Sequence, residues 1–167
     1  LGCGTGAITR YLGETGAEVT AVEGSLARAR VAAARCADLP NVTVIADDLQ
    51  GAEVEGPYDW VTFIGVLEYA AAYSAAEDPY QSYLQAAMRH LEPGGKLVVA
   101  IENQLGLKYF NACGEDHLGK PFMGIQDLYQ RHGGPRTFGR QALSRVLARR
   151  SSSGCTRTPT TRCPASC

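Results

Sequence analysis

The chain opens on Leu1-Gly2-Cys3-Gly4-Thr5-Gly6, three glycines at alternate positions, and passes at once into a helical pattern over Ala7–Glu14. Glycine is needed where the backbone turns tightly and comes close to a ligand, and the helix N-terminus behind such a turn presents oriented N–H groups. A turn of this kind needs a strand feeding it. Leu1 is therefore expected to be the last residue of a strand whose remainder lies upstream, in a chain truncated there. This one feature narrows the fold to strand–turn–helix architectures and points to a nucleotide-like ligand.

The residues that follow keep the alternation. Ile8, Tyr11 and Leu12 fall on one helical face, and Gly16 is placed to close the helix. Residues 18–22 (EVTAV) read as a strand ending at Glu23-Gly24, with Ser25 placed to cap a helix reaching Cys36. Pro40-Asn41 is a turn before a strand at Val42–Ala46. The apolar run 59–64 (DWVTFI) suits a strand buried on both faces, and 80–91 (YQSYLQAAMRHL) is amphipathic. Residues 92–95 (EPGG) form a turn ahead of the most hydrophobic strand, 96–101 (KLVVAI). Strands alternating with helices specify an α/β fold, a Rossmann-like, doubly wound, mostly parallel sheet.

Beyond residue 102 the period is lost. Residues 103–135 mix glycines and aromatics and read as an ordered insertion, and 137–149 (TFGRQALSRVLAR) read as a helix capped by Thr137. From Ser151 onward the chain is Ser, Arg, Thr, Pro, Gly and Cys with almost nothing apolar, too little to offset its ordering entropy. Three units result: a cofactor-binding core over 1–102, an acceptor-side segment over 103–149, and a disordered tail over 150–167.

Charge breaks at the same place. All 17 acidic residues precede residue 128, whereas 128–167 carry eight arginines and no acid. GC-rich DNA read in a shifted frame encodes such a composition, so a frameshift near residue 150 is the expected origin of the tail. The six cysteines form no CxxC pair and have no zinc-ligand spacing with His90, His117 or His132, so no metal is expected. No apolar run approaches the roughly 18 residues of a membrane helix, and nothing at Leu1 has a signal-peptide layout. A cytoplasmic, reducing location is expected.

Seventeen residues past Gly6, Glu23 stands at the end of a strand, where a carboxylate accepts hydrogen bonds from ribose hydroxyls. Gly2, Gly4 and Ala7 satisfy the G-x-G-x-x-G/A dinucleotide fingerprint, which would make the chain an NAD-dependent oxidoreductase. Gly2, Gly4 and Gly6 equally satisfy G-x-G-x-G, the glycine loop of class I S-adenosylmethionine methyltransferases. The loop alone leaves both open. VTVIADDL, YDWVTFIGVLEY and LEPGGKLVVAIEN then follow in the order and spacing of methyltransferase segments, so residues 1–103 resemble that class.

The resemblance implies roles. Gly2, Cys3, Gly4 and Gly6 would surround the methionine part of S-adenosylmethionine, Glu23 and Gly24 its ribose, Asp47 or its neighbour Asp48 its adenine, and Gly65 its sulfonium. Glu68 and Tyr69 are candidates for acceptor contact. Glu102 and Asn103 join them at the carboxyl edge of the sheet, where ligands of open α/β sheets bind. An oxygen nucleophile also needs a base, and an Asp116–His117 pair could set a neutral imidazole for that task.

IENQLGLKYF, EDHLGKPFMGI and RTF further resemble a subgroup of these enzymes found beside glycosyltransferases in bacterial surface-polysaccharide gene sets. That likeness implies a small-molecule or glycan hydroxyl as acceptor and a glycosyltransferase as neighbour. The antiparallel hairpin that normally completes such a sheet at its C-terminal side is expected to be lacking. An RNA methyltransferase using the Arg-rich end is the remaining rival, but the chain shows no basic–aromatic interleaving, and nucleic acid is not expected as partner.

Overall fold

The computed structural model describes residues 1–131 and 134–149, so the tail over 150–167 and His132 lie outside the described residues. Helix α1 (Ala7–Glu14) leads to β1 (Val19–Glu23), α2 (Leu26–Arg35), β2 (Val42–Ala46) and β3 (Tyr58–Ile64). Then come α3 (Ala70–Tyr73), α4 (Pro79–Met88), β4 (Leu91–Ala100), α5 (Leu107–Phe110) and α6 (Arg140–Ala148). β1 pairs with β2 and β3 with β4, both parallel, as expected for strands joined by crossover helices. This is the α/β, Rossmann-like architecture the alternation specifies.

Among the described residues the four strands form two two-stranded sheets rather than one. Leu1 and Gly2 run between them. The Leu1 amino group donates to Thr62 O on β3 at 2.9 Å, while Gly2 N–H donates to Val22 O on β1 at 2.7 Å. Beyond this junction the two sheets bound a groove of about 730 Å³, lined by Leu12, Val19, Val22, Trp60, Thr62 and Val98 among others.

Local chemistry explains most element ends. α4 starts where Asp78 Oδ1 accepts Gln81 N–H at 3.1 Å, with Pro79 in the first turn, where its missing N–H costs nothing. α1 lies tight on β2, because a Cβ at Gly13 would come within 2.5 Å of Val42 Cγ2. Arg10 fastens α1 to the end of α2, donating to Glu14 at 2.7 Å and to both Asp38 oxygens at 2.7 and 3.0 Å. The core gathers Val61 and Phe63 of β3, Leu67, Ala70, and Tyr83, Leu84 and Ala87 of α4. Leu143, Val146 and Leu147 of α6 pack against it.

Three expectations need correction. Ser25 precedes α2 but its side chain caps nothing; its N–H instead donates to Glu23 Oε1 at 3.0 Å. Residues 92–95 are a bulge inside β4 rather than a turn before it, since Leu91 pairs with Tyr58 and Lys96 with Trp60. Thr137 is fully buried and bonded to the Tyr129 hydroxyl, so α6 starts three residues later, behind Gly139.

Candidate active site

A cleft of about 500 Å³ opens at the carboxyl ends of the strands. Its wall takes Gly2 and Gly4 from the glycine loop, and Glu23, Gly24, Ser25 and Arg28 from the end of β1 and the start of α2. Asp48 and Leu49 follow β2, and Gly65, Val66 and Tyr69 follow β3, with Tyr73 and Tyr83 at the side. Such a volume lies in the range of small-molecule and cofactor sites.

Glu23 organises one end. It is 3% exposed, and its Oε2 accepts Gly4 N–H at 2.8 Å, which fixes the glycine loop to the strand. Oε1 accepts Ser25 N–H at 3.0 Å, Arg28 Nε at 2.8 Å and Arg28 Nη2 at 2.7 Å. Burial pushes the carboxyl up, but the donors at Ser25, Arg28 and Gly4 together outweigh it and leave the group below its ordinary range. Glu23 therefore presents a charged carboxylate to the cleft.

Gly65 marks the other end. Its φ of +65° lies in the left-handed region, its N–H donates to Ala100 O at 2.8 Å, and a Cβ there would stand 3.7 Å from Glu68 Oε1. The chain then turns through Leu67–Tyr69, which buries Glu68 at 2% exposure while Tyr69 faces the cleft. Burial pushes the Glu68 carboxyl up, and its Oε2 has no hydrogen-bond partner.

Not every residue singled out from the sequence reaches the cleft wall. Gly6 is buried against α2, where an added Cβ would come within 2.8 Å of Ala32 Cβ, so its part is close packing of α1 on α2. Cys3 faces a small hollow with Leu1, Ile8 and Thr9 on the other side of the loop. Of the two aspartates, Asp48 lines the cleft, and Asp47 Oδ1 accepts the Asp48 N–H at 2.8 Å. Glu102 lies 3.8 Å from Lys108 Nζ, and Asn103 Oδ1 accepts Leu105 N–H at 3.0 Å. Neither lines the cleft.

The segment past β4 folds onto Tyr69. His117 Nδ1 lies 3.1 Å from the Tyr69 hydroxyl, with the two rings edge to face and centroids 5.1 Å apart. Buried Glu115 sets this position, since its Oε2 accepts His117 N–H at 2.9 Å and Leu118 N–H at 2.8 Å. The expected Asp116–His117 pairing is not the one made. Asp116 Oδ2 instead accepts Lys108 Nζ at 2.6 Å and the Tyr109 hydroxyl at 2.5 Å, and these bonds hold its carboxyl below the ordinary range. Tyr109 and Tyr129, which brace this layer, carried no sequence signal beyond their aromatic character.

Comparison with known proteins agrees with this fold. Residues 1–97 match the methyltransferase domain family. A complex of DhpI with SAM and HEP superposes with a TM-score of 0.60 at 18% identity, covering 90% of this chain and 67% of that one. The PH0226 protein from Pyrococcus horikoshii OT3 gives 0.54 at 23% identity, over 66% of this chain and 48% of that one. The CcbJ methyltransferase from Streptomyces caelestis gives 0.51 at 26% identity, over 59% of this chain and 39% of that one. The chain thus spans between about two fifths and two thirds of the length of these relatives. No curated protein matches it.

A parallel α/β sheet with its cleft at the glycine loop is the frame of class I S-adenosylmethionine-dependent methyltransferases. The chain belongs to the methyltransferase domain family.

Proposed function

We propose that the protein carries out methyl transfer from S-adenosylmethionine to a hydroxyl of a small-molecule or glycan acceptor. The observation that carries this reading is the cleft, where Gly4, Glu23, Asp48 and Gly65 share one wall. Those residues fit the cofactor: two carboxylates for hydroxyl and amino donors, and glycine backbone where the ligand must come close. When bound, S-adenosylmethionine would supply an electrophilic methyl group, activated by the positive charge on its sulfur, for transfer to the acceptor oxygen.

The protein's own task is then to hold two reactants in line and to take up one proton. Residues 1–102 serve as the cofactor core and 103–149 as the acceptor side. Tyr69 and Tyr73 on the cleft wall suit contact with a hydroxylated acceptor, and His117 behind Tyr69 is the proposed base. Glu102, Asn103 and Asp116 would act at the margin. Arg28 is the one cation on the wall among the described residues, and its bonds to Glu23 argue against a polyanion such as RNA. The glycan reading and a glycosyltransferase neighbour rest on the sequence likeness of the 101–138 segment, and the cytoplasm on the cysteine pattern, which suits a reducing compartment. Among the described residues no helix is long and apolar enough to cross a membrane.

Isothermal titration with S-adenosylhomocysteine and, separately, with NAD tests the reading. Binding of the thioether alone, weakened by Glu23→Ala, is the expected result. Binding of NAD instead would overturn it and restore the oxidoreductase reading, which the family match does not favour.

A further inference from the structure

Among the described residues three buried side-chain polar atoms stand without a partner: Arg136 Nε, Glu68 Oε2 and His117 Nε2. The Arg136 backbone N–H donates to Glu68 O at 2.8 Å, and Glu68 and His117 adjoin Tyr69, the one in sequence and the other by hydrogen bond. Native folds seldom leave such atoms unpaired, and a pair of them in one place marks a site where protons or ligands are handled. The two side chains lie within electrostatic reach of each other, and the imidazole is among the charges that act on the Glu68 carboxyl. On its other side the same imidazole meets the Tyr69 hydroxyl at 3.1 Å through Nδ1. Tyr69 lines the cleft; His117 and Glu68 do not.

We propose that Tyr69, His117 and Glu68 form a proton relay, with Tyr69 as the group that meets the acceptor and Glu68 as the countercharge of the imidazole. This inference rests on the methyl-transfer reading and deepens it. The Tyr69 oxygen takes the proton of the acceptor hydroxyl while its own proton passes to His117 Nδ1. The imidazolium so formed is within electrostatic reach of the Glu68 carboxyl and returns the proton through the Tyr69 hydroxyl to the open cleft after transfer. One O–H bond of the acceptor breaks and one N–H bond forms, and the acceptor oxygen's electron pair goes into its new bond to carbon. No oxidant or reductant is needed.

The alternative countercharge, Asp116, is already engaged by Lys108 and Tyr109. Glu115 holds the backbone of His117 rather than its ring. Arg28, Tyr73 and Glu115 also act on Tyr69, and Glu102 on Glu68, so the relay sits in a mixed field whose buried, unpaired carboxylate is Glu68. In the proposed resting state the Tyr69 hydroxyl donates to Nδ1, and the ring proton of His117 resides on Nε2, the nitrogen left without a partner.

Two-bond ¹H–¹⁵N correlation spectra of the full chain at pH 8 read this tautomer directly, with the His117 signals assigned by their loss in His117→Gln. The expected result is a dominant Nε2–H tautomer, shifted toward a mixture in Glu68→Gln and in Tyr69→Phe. A dominant Nδ1–H form in the unsubstituted chain, or a tautomer unmoved by both substitutions, would overturn the relay. A ring merely packed in place would not respond to removal of a charge or a single hydroxyl. Titration of the unsubstituted chain with S-adenosylhomocysteine keeps the two readings apart. Silence there with the Nε2–H form present removes the methyl-transfer reading, whereas binding with the Nδ1–H form removes only the relay.

Discussion

Arg28 grips a single oxygen of Glu23, with Nε at 2.8 Å and Nη2 at 2.7 Å from Oε1. That oxygen also accepts the Ser25 N–H, so a ribose hydroxyl seeking Oε1 must displace the guanidinium. Arg28 is more than half exposed, and ion pairs of that kind are worth about 0–1 kcal/mol. Arg28→Ala should therefore tighten S-adenosylhomocysteine binding by up to roughly fivefold, read by titration calorimetry. Weaker binding would mean that Arg28 touches the ligand instead.

Glu23 also ties stability to acid. Its carboxyl titrates lower in the folded chain than in the unfolded one, so its contribution is present above the unfolded value of about 4.3 and is lost as pH falls through the folded value. Melting curves from pH 7 down to pH 3 should show the unsubstituted chain losing more Tm than Glu23→Gln over the same range. Parallel curves would show that the Gly4, Ser25 and Arg28 bonds do not favour the charged form.

Glu68 works in the opposite sense. Burial raises its carboxyl, so its favourable share is present at low pH and is lost as pH rises through the folded value. Replacing it by the neutral amide removes the cost of an unpaired buried charge, on the order of 1–3 kcal/mol. Glu68→Gln should raise Tm at pH 8 and leave it nearly unchanged at pH 4, checked by scanning calorimetry. A lower Tm at pH 8 would mean that the carboxylate is satisfied in solution.

The glycines of the first loop divide the same way, by what surrounds them. A methyl at Gly6 meets the Ala32 backbone at 2.9 Å, and overpacking of this kind costs about 1–3 kcal/mol. A methyl at Gly4 meets nothing within 4 Å and suffers only its left-handed φ of +56°, a penalty of roughly 1–2 kcal/mol. Gly6→Ala should therefore lower Tm more than Gly4→Ala. The larger loss of S-adenosylhomocysteine affinity should fall on Gly4→Ala, whose new methyl would stand at the cleft. Equal losses in both measurements would undo this division of labour.

Much of the frame was legible because its signals are local. The α1 and β2 bounds follow from periodicity and flanking glycine or proline. The amphipathic segment read at 80–91 is instead α4 at Pro79–Met88, whose Asp78 cap the periodicity did not show, and Leu91 at the end of that segment opens β4. Long-range contacts supplied what spacing could not. Thr137 has the residue type of a cap, yet Tyr129, eight residues earlier, claims its hydroxyl in the interior. Asp116 and His117 are adjacent in sequence, and adjacency suggested a pair. The fold sends one toward Lys108 and Tyr109 and the other toward Tyr69, 48 residues away. Asp47 and Asp48 could not be separated by residue type; backbone direction at the end of β2 puts Asp48 on the cleft wall.

The seam between the two small sheets has a consequence for how this chain meets any ligand. Glu23, Arg28 and Asp48 belong to the β1–β2 side, Gly65, Tyr69 and Tyr83 to the β3–β4 side, and Leu1 and Gly2 carry backbone bonds from one to the other. A molecule filling the cleft touches both banks and acts as a bolt through the joint. A ligand at a hundredfold excess over its dissociation constant then adds about 2.7 kcal/mol to the stability of the folded chain.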